Sequence, residues 1–457
     1  MNVSMSLSLN NTQVAFAYKS TAELKKAGFL FTIIQSPFIV SLATKLTPIL
    51  MNAGLPINGF IRSTIFNQFV GGETLEETAR VSKQLSAYGV QVILDYGVEA
   101  KEGEENFDKV TEKILEAIDF ASTQNNIPFL SIKITGIASV HLLETLNEAP
   151  RLRSGIHDSE MEDASWERVK ERMYAICDVA SEKGIGVLID AEETWIQDPI
   201  DRLAIELMAT YNKEKVVVYN TYQLYRHDRL HFLQLSYSIA KEKNFKLGAK
   251  LVRGAYMEKE RLRAKQNGLE SPIHINKEAT DNDFNNAASF CIEHKENIAC
   301  IIASHNEQSN LQVTTLMQEK GIAANDPHIH FSQLYGMSDP ISFNLAKEGY
   351  NVSKYLPYGP IKDVIPYLMR RAEENSSVNG QTGVVTVNTS TALSGTTGTG
   401  NVAIGNGALY SGAGATWCVA VGEGALNLNT ANSNTAVGRA ALNKNTTGNP
   451  NDAFGNG

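Results

Sequence analysis

Two adjacent arginines, Arg370 and Arg371, are the residues of this sequence whose type and spacing most directly indicate ligand recognition. A guanidinium group keeps its charge and matches a carboxylate with two parallel hydrogen bonds. The pair stands in the segment YLMRRAEEN, where Glu374 follows Arg370 by one helical turn. A solvated helix end balanced by that glutamate is therefore an alternative interpretation.

Two lysines stand in otherwise apolar segments, Lys133 in SIKITG and Lys250 in KLGAKLVRG. Burial of an ammonium group is costly unless an anionic group offsets its charge. We therefore expect each lysine to face a carboxylate or an anionic ligand. A purely structural ion pair inside the fold is the alternative.

Polar residues recur at the carboxyl ends of several apolar segments. In a parallel barrel these ends meet at one mouth, where active sites form. The sequence therefore predicts one shared site. The residues in this group are Asp95, Glu99, Lys133, Asp190, Glu192, Asn220, Gln223, Lys250, Arg253, Tyr256, His305, Asn306, Gln333 and Tyr355.

Eight apolar segments must position these side chains, and each is followed by a longer stretch with helical spacing. This alternation predicts an α/β fold, a (β/α)₈ barrel over residues 90–380, preceded by an N-terminal helical arm over residues 1–89. Apolar faces recur in the expected helices 107–123 and 200–211. The eight segments begin at Val90, Pro128, Ile185, Lys215, Lys246, Ile298, His328 and Tyr350.

The composition changes to Gly, Asn, Thr and Ala over residues 384–457. Gly405, Gly422, Gly438 and Gly455 recur at spacings of 17, 16 and 17 residues within segments such as NVAIGNGAL. A period this short predicts a stacked β-rich array.

The net charge of −9 disfavours a nucleic-acid partner. The four cysteines show no C-x-x-C spacing, which indicates a reducing cytoplasm rather than a disulfide framework. No histidine group has the spacing of a metal site, so we expect no metal. The apolar stretch 29–40 is too short to span a bilayer and is interpreted as a packing helix, with a membrane-surface arm as the alternative.

Over roughly residues 10–380 the sequence resembles the flavin-dependent proline dehydrogenases. The motifs that carry this resemblance are DYGVEA from Asp95, SIKITG from Ser131, LIDAEE from Leu188, YNTYQ from Tyr219, KLVRGAYMEKER from Lys250, ASHNE from Ala303, QLYGMSDPISF from Gln333, KYLPYGP from Lys354 and YLMRRAEENSS from Tyr367. The resemblance implies oxidation of L-proline to Δ¹-pyrroline-5-carboxylate. It also implies FAD as the hydride acceptor and a membrane quinone as the electron acceptor.

The resemblance further assigns roles to individual residues. Lys133, Arg370 and Arg371 would bind the proline carboxylate, and Glu99 would pair with an arginine of this clamp as a gate. The walls around the proline ring would be Asp190, Tyr256, Leu334 and Tyr355. The FAD contacts would be Lys250 near flavin N5, Arg253 at the pyrophosphate, and Asn220, Gln223, Ala255, Ser304, His305, Asn306, Gln333 and Glu374. No residue is evident as the base that deprotonates proline.

Lysine at position 250 resembles the monofunctional, mitochondrial-type members, because the bifunctional bacterial enzymes carry arginine there. We expect a cytoplasmic enzyme with a peripheral contact at the inner face of the membrane. The repeats resemble phage tail-fibre and bacterial surface arrays, which suggests a fusion or a mis-joined reading frame. Two alternatives stay open: a catalytically inactive barrel in a fibre-like protein, and another FAD barrel such as a methylenetetrahydrofolate reductase.

Overall fold

The computed structural model describes residues 7–34, 40, 43, 57–97, 102–148, 164–380, 385–387, 400–404, 407–410 and 414–455. Side chains are described in these ranges except at 373–380 and 385–387. The chain divides into two compact units. The first comprises Met1–Lys26 and Pro56–Leu368, and the second comprises Ala27–Leu55 and Met369–Gly457.

Eight parallel strands close a barrel in the first unit, and each overlaps one of the eight apolar segments. Neighbours in sequence are neighbours in space, and β1 pairs with β8 to close the ring. The (β/α)₈ barrel predicted from the alternating segments is therefore confirmed. The strands are β1 (Gln91–Tyr96), β2 (Phe129–Ile132), β3 (Gly186–Ile189), β4 (Val218–Gln223), β5 (Leu247–Val252), β6 (Ile298–Ala303), β7 (Ile329–Leu334) and β8 (Val352–Tyr358).

One helix precedes β1, the others follow the strands, and together they cover the outside of the barrel. The helices of this layer are Leu75–Ser86, Glu104–Ser122, Val140–Glu148, Ala164–Lys183, Thr194–Tyr211, Arg229–Glu242, Met257–Gln266, Lys277–Glu293, Glu307–Glu319, Asp339–Lys347 and Ile361–Gly380. The N-terminal segment adds Thr12–Phe16, Thr21–Ile34, Asn58–Ile61, the π-helical turn Arg62–Phe66, and Asn67–Phe69. The last helix begins in the first unit and continues past its end at Leu368.

The core has two layers because side chains alternate along a strand. Ile93, Leu188, Tyr219 and Ile301 fill the barrel interior, whereas the residues beside them face the helices. On the helices, the apolar faces expected from spacing are buried: Ile114 and Ile118 in one, and Leu203 and Leu207 in another.

The N-terminal segment is fixed against the helix Asp339–Lys347. The Tyr18 hydroxyl donates to Asp339 over 2.8 Å, and the Tyr18 ring stacks on Phe343 at 4.4 Å between centroids. On the other side of the same carboxylate, the fully buried Lys354 of β8 lies 2.9 Å away. The buried Asp339 carboxylate therefore links β8 to the N-terminal segment.

The repeats in the second unit form a five-stranded parallel sheet in the order β13-β12-β11-β10-β9. Ala403, Ala420 and Ala436 lie in register and are fully buried, so each repeat places one small side chain in a narrow core. The strands are β9 (Val385–Val387), β10 (Val402–Ile404), β11 (Val419–Val421), β12 (Thr435–Val437) and β13 (Asp452–Phe454).

Candidate active site

Alternation along the barrel strands directs a second set of side chains to the mouth. Because Ile93 and Leu188 face the interior, the residues two positions further, Asp95 and Asp190, also face it. By the same rule Ser131 and Lys133 follow the inward-facing Phe129. The strand ends therefore place carboxylates and an ammonium above the apolar interior layer. In a (β/α)₈ barrel, the active site lies at this end of the strands.

Asp190 is the centre of this polar group. The Lys250 ammonium donates to its Oδ1 over 2.5 Å, and the Tyr355 hydroxyl donates to its Oδ2 over 2.9 Å. The Ser131 hydroxyl adds a third hydrogen bond of 2.6 Å to Oδ1. Lys250 also lies 5.1 Å from the centre of the Tyr355 ring. Residues on β2, β5 and β8 therefore all donate to the one carboxylate that follows β3.

The charge of Asp190 is stabilised by these partners. Burial raises the pKa of its carboxyl, but the Lys250 ammonium and the hydrogen bonds from Lys250 and Ser131 outweigh burial, so the pKa is lowered. Burial, followed by the negative charges of Asp190 and Asp95, raises the pKa of Tyr355 well above its ordinary value. Near neutral pH the group therefore contains an ionised aspartate and a neutral phenol.

Asp95 is a second buried carboxyl in the mouth. Burial raises its pKa to about 6, and the nearby charge of Asp190 acts in the same direction, whereas Lys133 opposes them. The charge of the Lys250 ammonium also favours its ionised form. Asp95 consequently changes its protonation state close to neutral pH, while Asp190 does not.

Glu192 is a third buried carboxyl, just beyond β3. The Thr135 hydroxyl donates to it over 2.6 Å and the Thr135 amide over 3.1 Å. Burial raises the pKa of Glu192 to about 7 despite these hydrogen bonds and the charge of Lys133. The side-chain amide of Gln223 donates to the Glu192 carbonyl over 3.1 Å. This contact places Gln223 next to Glu192 at the mouth of the barrel.

Arg253, after β5, reaches the start of the helix Glu307–Glu319. Its guanidinium donates to Asp281 over 2.8 Å, to the Ser304 hydroxyl over 2.7 Å and to the Ser309 hydroxyl over 2.9 Å. Asn306 caps this helix by accepting from the Ser309 amide over 3.0 Å. A cation and a capped helix N-terminus together form an environment suited to an anion.

The turn after Arg253 is sterically constrained. Gly254 has a φ of +135°, and a Cβ at this position would lie 2.4 Å from the Tyr225 ring. The turn exposes Ala255 and leads to the half-buried Tyr256. Leu334 ends β7 in register with Tyr355, so these two side chains share one stretch of the mouth.

Comparison with known proteins decides the family. The family profile described as proline dehydrogenase matches residues 78–383. This chain belongs to the proline dehydrogenase family. Family membership makes it an oxidoreductase that oxidises proline, a reaction of proline catabolism.

Several relatives share this family sequence. Mitochondrial proline dehydrogenase 1 of Dictyostelium discoideum is 32% identical over 409 residues, covering 81% of this chain and 72% of its own. The carbapenem antibiotics biosynthesis protein CarD of Pectobacterium carotovorum subsp. carotovorum is 35% identical, with 70% and 81% covered. Hydroxyproline dehydrogenase of Xenopus laevis is 31% identical, with 79% and 84% covered.

Solved structures support the fold. Proline utilization A (PutA) from Bdellovibrio bacteriovorus, inactivated by N-propargylglycine, superposes with a TM-score of 0.63 at 21% identity. The match covers 81% of this chain and 39% of the PutA chain. At this level of identity the likeness concerns the barrel architecture.

Two residues expected at the cofactor face away from the barrel interior. Asn220 is fully buried on the outer side of β4 and donates to Asp201 over 2.9 Å. Gln333 is buried on the outer side of β7, where its amide oxygen accepts from the Ser342 hydroxyl over 2.8 Å. Both lie one position away from an inward-facing residue. Their hydrogen bonds join strands to helices.

The two adjacent arginines lie on the helix Ile361–Gly380. Ile361, Val364 and Leu368 are buried along its first two turns, as the spacing predicts. Arg370 and Arg371 follow in the second unit, where Arg370 is half-buried and Arg371 is buried. The expected gate Glu99 and the side chain of Glu374 lie outside the described residues.

The remaining expected contacts lie around β6 and β7. Ser304 and Asn306 share the Arg253 site, because the Asn306 amide donates to the Ser304 hydroxyl over 3.1 Å. His305 lies beside Ser338, with 2.8 Å between its Nδ1 and the hydroxyl oxygen. His305 therefore contacts the loop after β7.

The sequence interpretation missed Ser131 and gave no role to Asp95 or Glu192. Ser131 is two positions before Lys133 and therefore shares its face of β2. Strict alternation applied to each strand end would have identified it. The raised pKa values of Asp95 and Glu192 depend on burial, which residue type alone does not indicate.

Two features are absent from the part of the chain that the structure describes. None of the helices in these ranges is long and apolar enough to cross a membrane. No cluster of three or more His, Cys, Asp and Glu side chains in the same ranges could hold a metal ion.

Proposed function

We propose that this chain oxidises L-proline to Δ¹-pyrroline-5-carboxylate, that FAD accepts the hydride, and that the electrons pass to a quinone. The observation that carries the proposal is the buried group of Lys250, Asp190 and Tyr355 in the mouth of the barrel. A buried ammonium beside an ionised carboxylate and a neutral phenol suits a redox site with a charged substrate.

The residues at the mouth fit a flavin dinucleotide. Arg253 and the capped start of the helix Glu307–Glu319 suit a diphosphate, since serine hydroxyl partners of Arg253 can be displaced by an anion. The buried Gln223 Oε1 has no hydrogen-bond partner among the described residues, and thus offers an acceptor to a ligand. In this assignment Ser304, His305, Asn306 and Ala255 line the remaining edge.

Bound FAD supplies a two-electron acceptor for the hydride. The Lys250 ammonium stabilises negative charge that arrives with the electrons, because it is buried and its field is weakly screened. Asp190 holds this ammonium in place. Lysine at this position supports the monofunctional, mitochondrial-type assignment.

The substrate carboxylate is assigned to Arg370, Arg371 and Lys133. Three cations around one carboxylate fix the orientation of the proline ring, which is the entropic part of catalysis. The ring then lies against walls formed by Asp190, Tyr256, Leu334 and Tyr355. Glu99 is assigned the role of an acid partner for an arginine of the clamp, and Glu374 a role at the cofactor; both side chains lie outside the described residues.

The chemistry belongs to the barrel over residues 90–380, and the repeats over 384–457 have no part in it. We assign the N-terminal arm over residues 1–89 the peripheral contact that brings the enzyme to a membrane quinone. A cytoplasmic location with the arm at the inner face of the membrane accommodates both partners.

The proposal is tested on the chain of residues 1–457. After purification, an absorbance spectrum should show bound flavin, and anaerobic L-proline should bleach it, whereas D-proline should not. Electrons should then pass to a soluble quinone analogue. Absence of flavin, or flavin that L-proline does not bleach, would contradict the proposal and would favour an inactive barrel or a different flavin reductase.

A further inference from the structure

The turn after β7 connects two parts of the barrel mouth. It starts beyond Leu334, the expected wall residue that ends β7, and it ends at Ser338, which precedes the helix Asp339–Lys347. The Ser338 hydroxyl oxygen lies 2.8 Å from Nδ1 of His305, two residues beyond the end of β6. A turn that follows β7 is thus hydrogen-bonded to a residue expected at the cofactor.

The backbone of Ser338 has an uncommon conformation. Its φ of 52° and ψ of 39° lie in the left-handed region, which residues other than glycine, asparagine and aspartate rarely adopt. The Ser338 carbonyl accepts from the Ile341 and Ser342 amides over 3.1 and 3.2 Å, so the helix starts directly from this conformation. A strained backbone of this kind persists where the surrounding groups hold it.

The ammonium of Lys354 supplies such a restraint. It donates to the Met337 carbonyl over 2.5 Å and to the Leu334 carbonyl over 3.5 Å, and it lies 2.9 Å from Oδ1 of Asp339. Because Met337 and Asp339 flank Ser338 in the chain, one cation contacts the turn on both sides of the strained residue. The Lys354 side chain is fully buried, so water screens these contacts only weakly.

Lys354 is itself positioned from two sides. On β8 the next residue, Tyr355, faces the barrel interior, so Lys354 faces outward toward the turn. The other oxygen of Asp339, Oδ2, accepts from the Tyr18 hydroxyl over 2.8 Å and lies 3.2 Å from the Lys19 ammonium. These contacts fix the carboxylate that faces Lys354.

The hydrogen bond with Ser338 bears on how His305 can contact a ligand. The His305 side chain is exposed, so burial does little to fix the orientation of its ring. The two ring nitrogens of a histidine are distinct, and the hydrogen bond made by one of them determines what the other presents. Ser338 therefore sets both the direction of the ring and the hydrogen-bonding role of Nε2.

We propose that Lys354 and Ser338 are positioning residues of the cofactor site: Lys354 holds Ser338 in the left-handed conformation, and the Ser338 hydroxyl orients the His305 ring for contact with FAD. This inference rests on the proposed function, in which His305 lines the FAD site. Neither Lys354 nor Ser338 needs to touch the cofactor, since both act through His305.

The test measures how fast FAD leaves the holoenzyme after dilution, followed by flavin fluorescence without proline. Ser338→Ala should speed release about 5-fold, because one hydrogen bond that orients a cofactor contact is lost. Lys354→Met should speed release at least as much, since the turn loses its buried cation. The matched control is Ser122→Ala, at the opposite end of the barrel, where the lost hydroxyl donates to the Asp119 carbonyl over 2.7 Å. This control should leave the release rate unchanged.

A double-mutant cycle separates positioning from general weakening of the fold. His305→Ala should itself speed FAD release. In that background Ser338→Ala and Lys354→Met should each add less than about 2-fold, because both act through the ring that has been removed. Effects that multiply in the double variants would overturn the inference. If Lys354→Met fails to fold, Lys354→Arg replaces it in the cycle, since arginine keeps the charge but changes the geometry of its donors.

Ser338→Gly distinguishes the hydroxyl from the backbone. Glycine adopts the left-handed conformation without steric cost, so the unfolding midpoint should not fall. FAD release should nevertheless be as fast as in Ser338→Ala, which a purely structural role of Ser338 does not predict. Release from Ser338→Gly at the wild-type rate would overturn the inference. Wild-type protein that holds no flavin contradicts the proposed function instead.

Discussion

The ammonium of Lys250 on β5 donates to the carboxylate of Asp190 beyond β3 over 2.5 Å. The side chains of both residues are largely buried, with 7% and 13% of their surfaces exposed. Neither charge could stay in this position alone, since an uncompensated buried ion is costly. The pair therefore fixes the arrangement on which the proposed hydride acceptor site depends.

Replacement of Lys250 by Met should lower the free energy of unfolding by about 3 kcal/mol, because Asp190 keeps its charge without its main partner. Denaturant unfolding of the apoprotein measures this loss. The double variant Lys250→Met with Asp190→Asn should recover part of it, because the unpaired charge is gone. Equal losses in the single and double variants would show that the pair is not coupled.

Replacement of Arg370 and Arg371 by Met should weaken proline binding by about 2–5 kcal/mol while flavin stays bound, because each variant removes a charged partner of the carboxylate. Steady-state kinetics measure the rise in proline KM, and absorbance measures flavin content. Arg439→Met in the repeats is the control, since Arg439 is exposed and lies 3.5 Å from Glu423. Loss of flavin in the Arg370 or Arg371 variant would assign these arginines to the cofactor.

Glu192 should make the protein less stable as pH rises. Its folded pKa of about 7 lies above the ordinary value of 4.5, so the folded state binds the proton more tightly than the unfolded state does. The stabilisation is complete below about pH 4.5 and is lost as pH rises through 7, amounting to about 3 kcal/mol. Glu192→Gln should remove this contribution. Denaturation of both proteins between pH 5 and 8 compares the slopes, and parallel curves would contradict the assignment.

A buried asparagine supports the repeat sheet. Asn434 accepts from the Asn451 amide over 2.8 Å and donates to Asn429 over 2.9 Å. Asn434→Ala should therefore destabilise the sheet by about 1–3 kcal/mol, because buried partners lose their hydrogen bonds. Hydrogen exchange should become faster at the backbone amides of β12 and β13. The control is Asn432→Ala, which replaces an exposed side chain whose amide oxygen accepts one hydrogen bond, from the Thr416 backbone amide over 2.8 Å. Equal destabilisation by the two substitutions would contradict the prediction.

The sequence by itself determined the barrel, because eight apolar segments separated by helical spacing leave few other architectures. It also determined which residue types end the strands, and through family motifs it indicated the chemistry. Lys133 and Lys250 could be singled out because an ammonium in an apolar segment needs an explanation.

Only the tertiary structure decided which strand-end residues face the interior and how they pair. Asn220 and Gln333 lie in segments that resemble motifs of the family, yet each stands one position away from an inward-facing residue. Because side chains alternate along a strand, both face the helices instead of the barrel interior. Lys250 and Tyr355 meet Asp190 from 60 and 165 positions away. Contacts across such separations, and the burial that raises the pKa of Asp95, arise from closure of the barrel.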